Sequence, residues 1–149
     1  MTANKKKALY ADNLDSYIDG VVQGLEQQEA TDSLNTAYDL IVQDVRDAFS
    51  NAVSPSGVSW PARKEEGDGH PLLNESGALI SAATGGAGHI NENSGRELMM
   101  GVDGNVIPYA TTHQSPLTSL IPEREYFGAT DQTLDTIGEL IADELLDLF

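Results

Sequence analysis

Between Ser54 and Pro71 the chain reads SPSGVSWPARKEEGDGHP, with three prolines and three glycines. Proline removes a backbone donor and clashes with the preceding helical turn, and glycine is costly to order, so no helix pattern continues through this stretch. What lies before it and what lies after it must meet across a long loop. Structureless loops beyond about 12–15 residues are uncommon in compact domains, which marks this one as functional or partner-ordered rather than a plain connection. Trp60, the only tryptophan of the chain, sits inside it. The indole either pins the loop onto the core or anchors a subunit contact.

Before the loop the pattern is helical. Leu34, Ala37, Tyr38, Ile41, Val45, Ala48, Phe49 and Ala52 stripe one face of a helix, and Thr31, Asp32 or Ser33 is placed to cap its start. An earlier stripe of Leu14, Tyr17, Ile18, Val21, Val22 and Leu25 predicts another helix between Asp12 and Gln28. Gly20 and Gly24 weaken that helix by about 1 kcal/mol each relative to alanine, while allowing close approach of another backbone. The QQEATDS stretch between the stripes fits either a short turn or the middle of one bent helix.

After the loop, LLNESGALISAA is expected to contain a short strand and TGGAGH a turn. Glu97–Val102 and Asn105–Ala110 flank Asp103-Gly104, the chemistry of a tight turn with positive φ, and predict a β-hairpin in which Pro108 either places its strand at an edge or ends it. Finally, Leu134, Ile137, Ile141, Leu145 and Leu148 mark an amphipathic helix over Thr130–Phe149, capped by Thr130 and Asp131. The acidic residues of its last turn oppose the helix dipole, so its end calls for a covering partner. The expected class is α+β: N-terminal helices, a small antiparallel sheet with a hairpin near 97–110, and a C-terminal helix. Residues 31–149 form the single domain, and residues 1–30 an N-terminal extension, helical from about residue 12.

Charge narrows the function. Twenty-four acidic residues against eight basic ones give a net charge of −16, which argues against a general phosphate-binding face. The absence of cysteine excludes disulfides and thiolate metal sites. Lys5-Lys6-Lys7 is not followed by an apolar stretch, and no segment approaches the roughly 18 apolar residues of a membrane span, so a soluble, unprocessed chain is expected, with the lysines as a solubilising end. His70, His89 and His113 lack the i, i+4 spacing of helical metal ligands. Thr84–Gly88 lacks the G-K-[ST] of a phosphate loop, and there is no G-x-S-x-G. Neither enzyme chemistry nor a cofactor is expected.

Four stretches in order carry a resemblance: Pro55-Ser56-Gly57-Val58-Ser59-Trp60, Pro71-Leu72-Leu73-Asn74-Glu75-Ser76-Gly77-Ala78-Leu79, Tyr109-Ala110-Thr111-Thr112-His113-Gln114 and Ile121-Pro122-Glu123-Arg124-Glu125-Tyr126-Phe127-Gly128. The series resembles the tailed-bacteriophage virion morphogenesis family, the tail-completion or neck proteins of the head–tail junction. It spans roughly Asp32 to Phe149 and departs from the family pattern at Ser115-Pro116-Leu117.

The resemblance implies a non-catalytic virion protein, assembled in the host cytoplasm as a homo-oligomeric ring, hexameric or dodecameric. Its partners are portal, connector and tail proteins, DNA passes through without specific binding, and no membrane is involved. It also implies Trp60, Leu72, Leu73, Gly77, Leu79, Tyr109, His113, Gln114, Pro122, Arg124, Phe127 and Gly128 as interface or family-motif positions. Within IPEREYFG, Pro122 favours an extended Ile121, Tyr126 or Phe127 packs the approach to the last helix against the core, and Gly128 gives the backbone room to turn. Arg124 bridges carboxylates, inside the subunit or across to the next. Six copies carry roughly a hundred excess negative charges, so assembly rests on apolar anchors and responds to salt. The charge alone also fits a second class, a small acidic cytosolic binding protein such as a nucleic-acid mimic or anti-restriction protein.

Overall fold

The computed structural model describes residues 18, 19, 22, 23, 28–62, 73, 76–116 and 122–147. Of the helix expected between Asp12 and Gln28, residues 18, 19, 22 and 23 are helical, and the remainder up to residue 27 lies outside the described residues. Residues 63–70 of the long loop lie outside them too.

Helix α1 (Thr31–Asn51) buries Leu34, Ala37, Val42, Val45, Ala48 and Phe49, close to the sequence stripe. Its start differs from expectation. Ala30 is the cap residue and no side chain caps from that position. The backbone N–H of Ser33 donates instead to Glu144 Oε1, at 3.2 Å, from the far end of the chain. At the other end Ala52 takes the left-handed conformation, φ 54°, and its N–H closes on the Ala48 carbonyl. Left-handed backbone costs a non-glycine residue on the order of 1–2 kcal/mol.

The segment after Ala52 then doubles back. Ser54 Oγ accepts from the Val58 N–H at 3.0 Å, the Ser54 N–H donates to the Val58 carbonyl, and Val53 bridges Ser59 antiparallel. Gly57 turns the tip at φ 94°. Trp60 is thereby delivered against the end of α1, its N–H on the Ala52 carbonyl at 2.7 Å.

The ALISAA stretch, expected as a strand, is helix α2 (Ala78–Ala83). Gly77 starts it at φ 77°, Ser76 Oγ accepts from the Ala78 N–H, and Thr84 Oγ1 donates to the Ile80 carbonyl. Ala82 and Ala83 are fully buried, and alanine lets the helix approach its neighbours closely.

The turn at 84–88 matches expectation and leads into strand β1 (His89–Asn93), which pairs antiparallel with β2 (Leu98–Val102) in the register His89↔Val102 to Asn93↔Leu98. The hairpin therefore spans 89–102 and turns at Ser94–Glu97, not at Asp103-Gly104. Asp103 instead ends the ribbon. Its N–H bonds the Gly88 carbonyl, its own carbonyl accepts from both Val106 and Ile107, and its Oδ1 takes the Asn105 N–H. That Asx turn starts a helical course in which Pro108 need donate nothing, and α3 (Ala110–Gln114) follows.

Helix α4 (Asp131–Leu146) has the expected cap: Thr130 Oγ1 accepts from the Thr133 N–H at 3.1 Å. The Thr130 N–H reaches Asp44 Oδ2, while Ser33 Oγ donates to the Leu140 carbonyl, so α4 runs antiparallel along α1. Its apolar stripe is only half covered. Ile137, Ile141 and Leu145 are half-buried, Leu134 is 54 % exposed where Thr133 takes the buried position, and Leu148 lies outside the described residues.

The core joins Val45, Ala48 and Phe49 of α1 with Trp60, Leu79, Ala82, Ala83, Ile107, Ala110 and Tyr126. The result is an α+β fold of helices and a two-stranded antiparallel sheet with a C-terminal helix. No helix among the described residues is long and apolar enough to cross a membrane.

Candidate functional site

Residues of three of the four stretches converge on one joint beside the end of α1, and Leu79 of the fourth packs in the same core cluster. The Trp60 ring stands edge-on to Phe49, centroids 5.6 Å apart at 90°, and its indole N–H donates to the Glu125 carbonyl at 2.9 Å. Phe49 also contacts the Tyr126 ring at 5.6 Å. Edge-to-face aromatic pairs add about 0.5–1.5 kcal/mol beyond the area they bury.

The extended segment 122–126 is stitched on both sides. On one side the Arg124 guanidinium donates to the Pro61 carbonyl from Nε (2.9 Å) and Nη2 (2.8 Å), and to the Ala62 carbonyl at 3.2 Å. On the other, the Arg124 N–H bonds the His113 carbonyl. Gln114 Oε1 accepts from the backbone N–H groups of Tyr126 and Phe127, both at 3.0 Å, and its Nε2 donates to the Phe127 carbonyl. The amide side chain thus takes the place of a strand neighbour for a segment that has none.

The Tyr126 hydroxyl donates to the Ala110 carbonyl, and burial pushes its pKa up from 10.0 to about 12. His113 sits edge-on to Tyr109, its Nδ1 without a hydrogen-bond partner among the described residues. Burial, and secondarily the positive charge of Arg124, hold its pKa below the ordinary 6.5.

Trp60, Leu79 and Arg124 are buried within the subunit, the arrangement expected if the Trp60 indole pins the loop onto the core and Arg124 serves its own subunit. Arg124 in particular turns inward and is 8 % exposed. Leu73, at φ 59°, and Phe127 pack half-buried against the core, and Gly77 starts α2. Pro122 is half-buried, and Gly128 faces Pro55 and Glu125. Tyr109 is 43 % exposed and is the motif position best placed to touch another molecule. Leu72 lies outside the described residues, as does His70.

Chemistry finds little purchase. A shallow cleft beside Trp60 is lined by Ser54, Ser56, Ser59, Glu123 and Glu125, and the serines there bond one another rather than a histidine. His89 is engaged at both nitrogens: Nδ1–H donates to the Ala82 carbonyl (2.7 Å), and Nε2 shares a hydrogen bond with the Tyr38 hydroxyl (2.8 Å). Among the described residues no three His, Asp or Glu side chains gather as metal ligands.

Sequence reasoning missed the contacts that cross the chain's length. Asn93 ties the hairpin to α1 through the Thr31 carbonyl and Asn35, and Glu144 serves the start of α1. Only the absence of basic residues in the last turn of α4 hinted that its carboxylates were committed elsewhere.

No family model, curated protein or solved structure matches this chain.

Proposed function

We propose that this chain is a structural virion protein of the head–tail junction of a tailed phage, one copy of a ring that completes the tail or joins it to the portal. The observation that carries this reading is the convergence of the resembling stretches. Segments far apart in sequence that share residues with neck proteins meet here in one hydrogen-bonded joint, and the shared residues serve architecture rather than chemistry. Half-covered α4 and exposed Tyr109 offer surface to neighbours. A ring needs two different, complementary patches on each copy.

The test joins sedimentation velocity, from about 0.1 M salt to 1 M and above, with gold labelling of purified virions. Oligomers in solution and label at the neck support the reading. A monomer at every salt concentration, with no label on virions, overturns it, and recovery of a basic DNA-binding enzyme as the bound partner replaces it with the nucleic-acid-mimic reading.

A further inference from the structure

A groove opens where the start of α1, the hairpin turn and the last turns of α4 meet. Ala30 and Leu34 form one apolar wall and Ile141 and Leu145 the other, with Gly95 and Arg96 at the rim. Its volume is about 670 Å³, open to solvent, which is room for several side chains of a helix face rather than one. Glu144 and Ser33 lock the two helices beneath it, so the walls are fixed.

The same chain carries the matching element. Ile18 and Val22 are four residues apart, both helical, 48 % and 46 % exposed, and they belong to the apolar stripe that runs from Leu14 to Leu25. In their own subunit these side chains face solvent while the groove stands open. We propose that the groove receives the Leu14–Leu25 stripe of a second copy. The proposal rests on the ring reading only in requiring another copy of this chain.

Charge fits as well as shape. Lys5, Lys6 and Lys7 hold three of the eight basic residues and precede the stripe, whereas the α4 turns that supply Ile141 and Leu145 also carry Glu139, Asp143 and Glu144 and have no basic residue in the last turn, while Arg96 and Glu97 balance each other in the lining itself. A helix C-terminus carries partial negative charge, which those carboxylates reinforce and lysines from a neighbour offset. Stripe and groove are different patches, so the contact is head-to-tail and extends to a ring where the rotation closes.

The chain has no cysteine, so engineered disulfides report cleanly. Two full-length single-cysteine chains, Val22→Cys and a size-tagged Leu145→Cys, are mixed and oxidised. The expected product is the mixed dimer, in excess of either homodimer. In the chain carrying both cysteines, a cross-linked monomer as the main product means that the stripe folds back onto its own groove, and overturns the proposal.

The Ile18→Asp/Val22→Asp double variant changes exposed positions only, and circular dichroism checks that the fold is kept. Its self-association by sedimentation is expected to weaken roughly a hundredfold from the loss of two aliphatic contacts. Unchanged association in that variant, with no mixed disulfide, refutes this contact while leaving the ring reading intact. Mixed disulfides without label on virions support the contact and refute the virion role.

Discussion

Replacing Arg124 with alanine separates folding from assembly. Toward the described residues 61 and 62 the guanidinium donates three hydrogen bonds, to the carbonyl oxygens of Pro61 and Ala62, and it is 8 % exposed. Pro61 and Ala62 are themselves exposed, so water reaches their carbonyls once the side chain is gone, and each loss falls at the lower end of the range, about 1 kcal/mol. Two buried methylenes add about 0.8 kcal/mol each. The expected cost of Arg124→Ala is thus about 3–4 kcal/mol, a large fraction of the roughly 5–15 kcal/mol that holds a domain together. Arg124→Lys keeps the charge, but a single ammonium cannot reproduce the fork that spans both carbonyls, and about half the loss should remain. Urea unfolding followed by circular dichroism measures both variants. A loss below about 1 kcal/mol in Arg124→Ala, accompanied by failure to assemble, would mean that the side chain serves a neighbour and would refute its assignment to the interior.

Gln114→Leu should cost about 2–4 kcal/mol by the same assay, because it strips two N–H groups and one carbonyl of their partner; a neutral outcome would mean that water already serves segment 122–126. At a net charge of −16, raising salt from 0.1 to 1 M shortens screening from about 10 to about 3 Å, so the melting temperature should rise steadily, and a flat or falling profile contradicts that. The pKa of Tyr126 rises from 10.0 to about 12 on folding, so the unfolded chain ionises first. Its contribution is complete below pH 10 and lost as pH approaches 12, and Tyr126→Phe should flatten that alkaline decline while losing about 1 kcal/mol at neutral pH with the Ala110 bond. For His113 the folded pKa lies below 6.5, so the unfolded state binds the proton first on acidification. That stability is complete above pH 6.5 and falls below it, and His113→Asn should remove this part of the acid slope in pH-dependent unfolding.

Local periodicity made α1 and α4 legible, since their apolar residues repeat every three or four positions and Thr130 supplies a cap of standard chemistry. The hairpin was displaced by one turn because HINEN carries no alternating apolar pattern. That strand is held by Tyr38 on His89 and by Asn35 on Asn93, contacts from a helix some fifty residues earlier. Asp103-Gly104 has the composition of a hairpin tip, yet Asp103 spends its side chain on Asn105 and its carbonyl on Val106 and Ile107, which commits the backbone to a helical course. The small apolar residues of ALISAA suit a strand, and the helix-starting pair Ser76-Gly77 decides otherwise. At the joint, the motif residues stood out in the sequence but their directions did not: Trp60 and Arg124 turn inward onto carbonyls whose positions depend on the fold, Glu125 for one, Pro61 and Ala62 for the other.

The cap that α1 receives from Glu144 comes from a residue 111 positions further along the chain. At a synthesis rate of about 5–20 residues per second, Ser33 waits roughly 6–22 s for that carboxylate. The second wall of the groove depends on the same event, because Ile141 and Leu145 arrive with Glu144. A nascent chain can therefore display the Ile18–Val22 face long before it owns a place to receive one. Were stripe and groove to pair as proposed, growing chains on a polysome would dock onto finished subunits but not onto each other, and order of synthesis would guard against premature polymerisation.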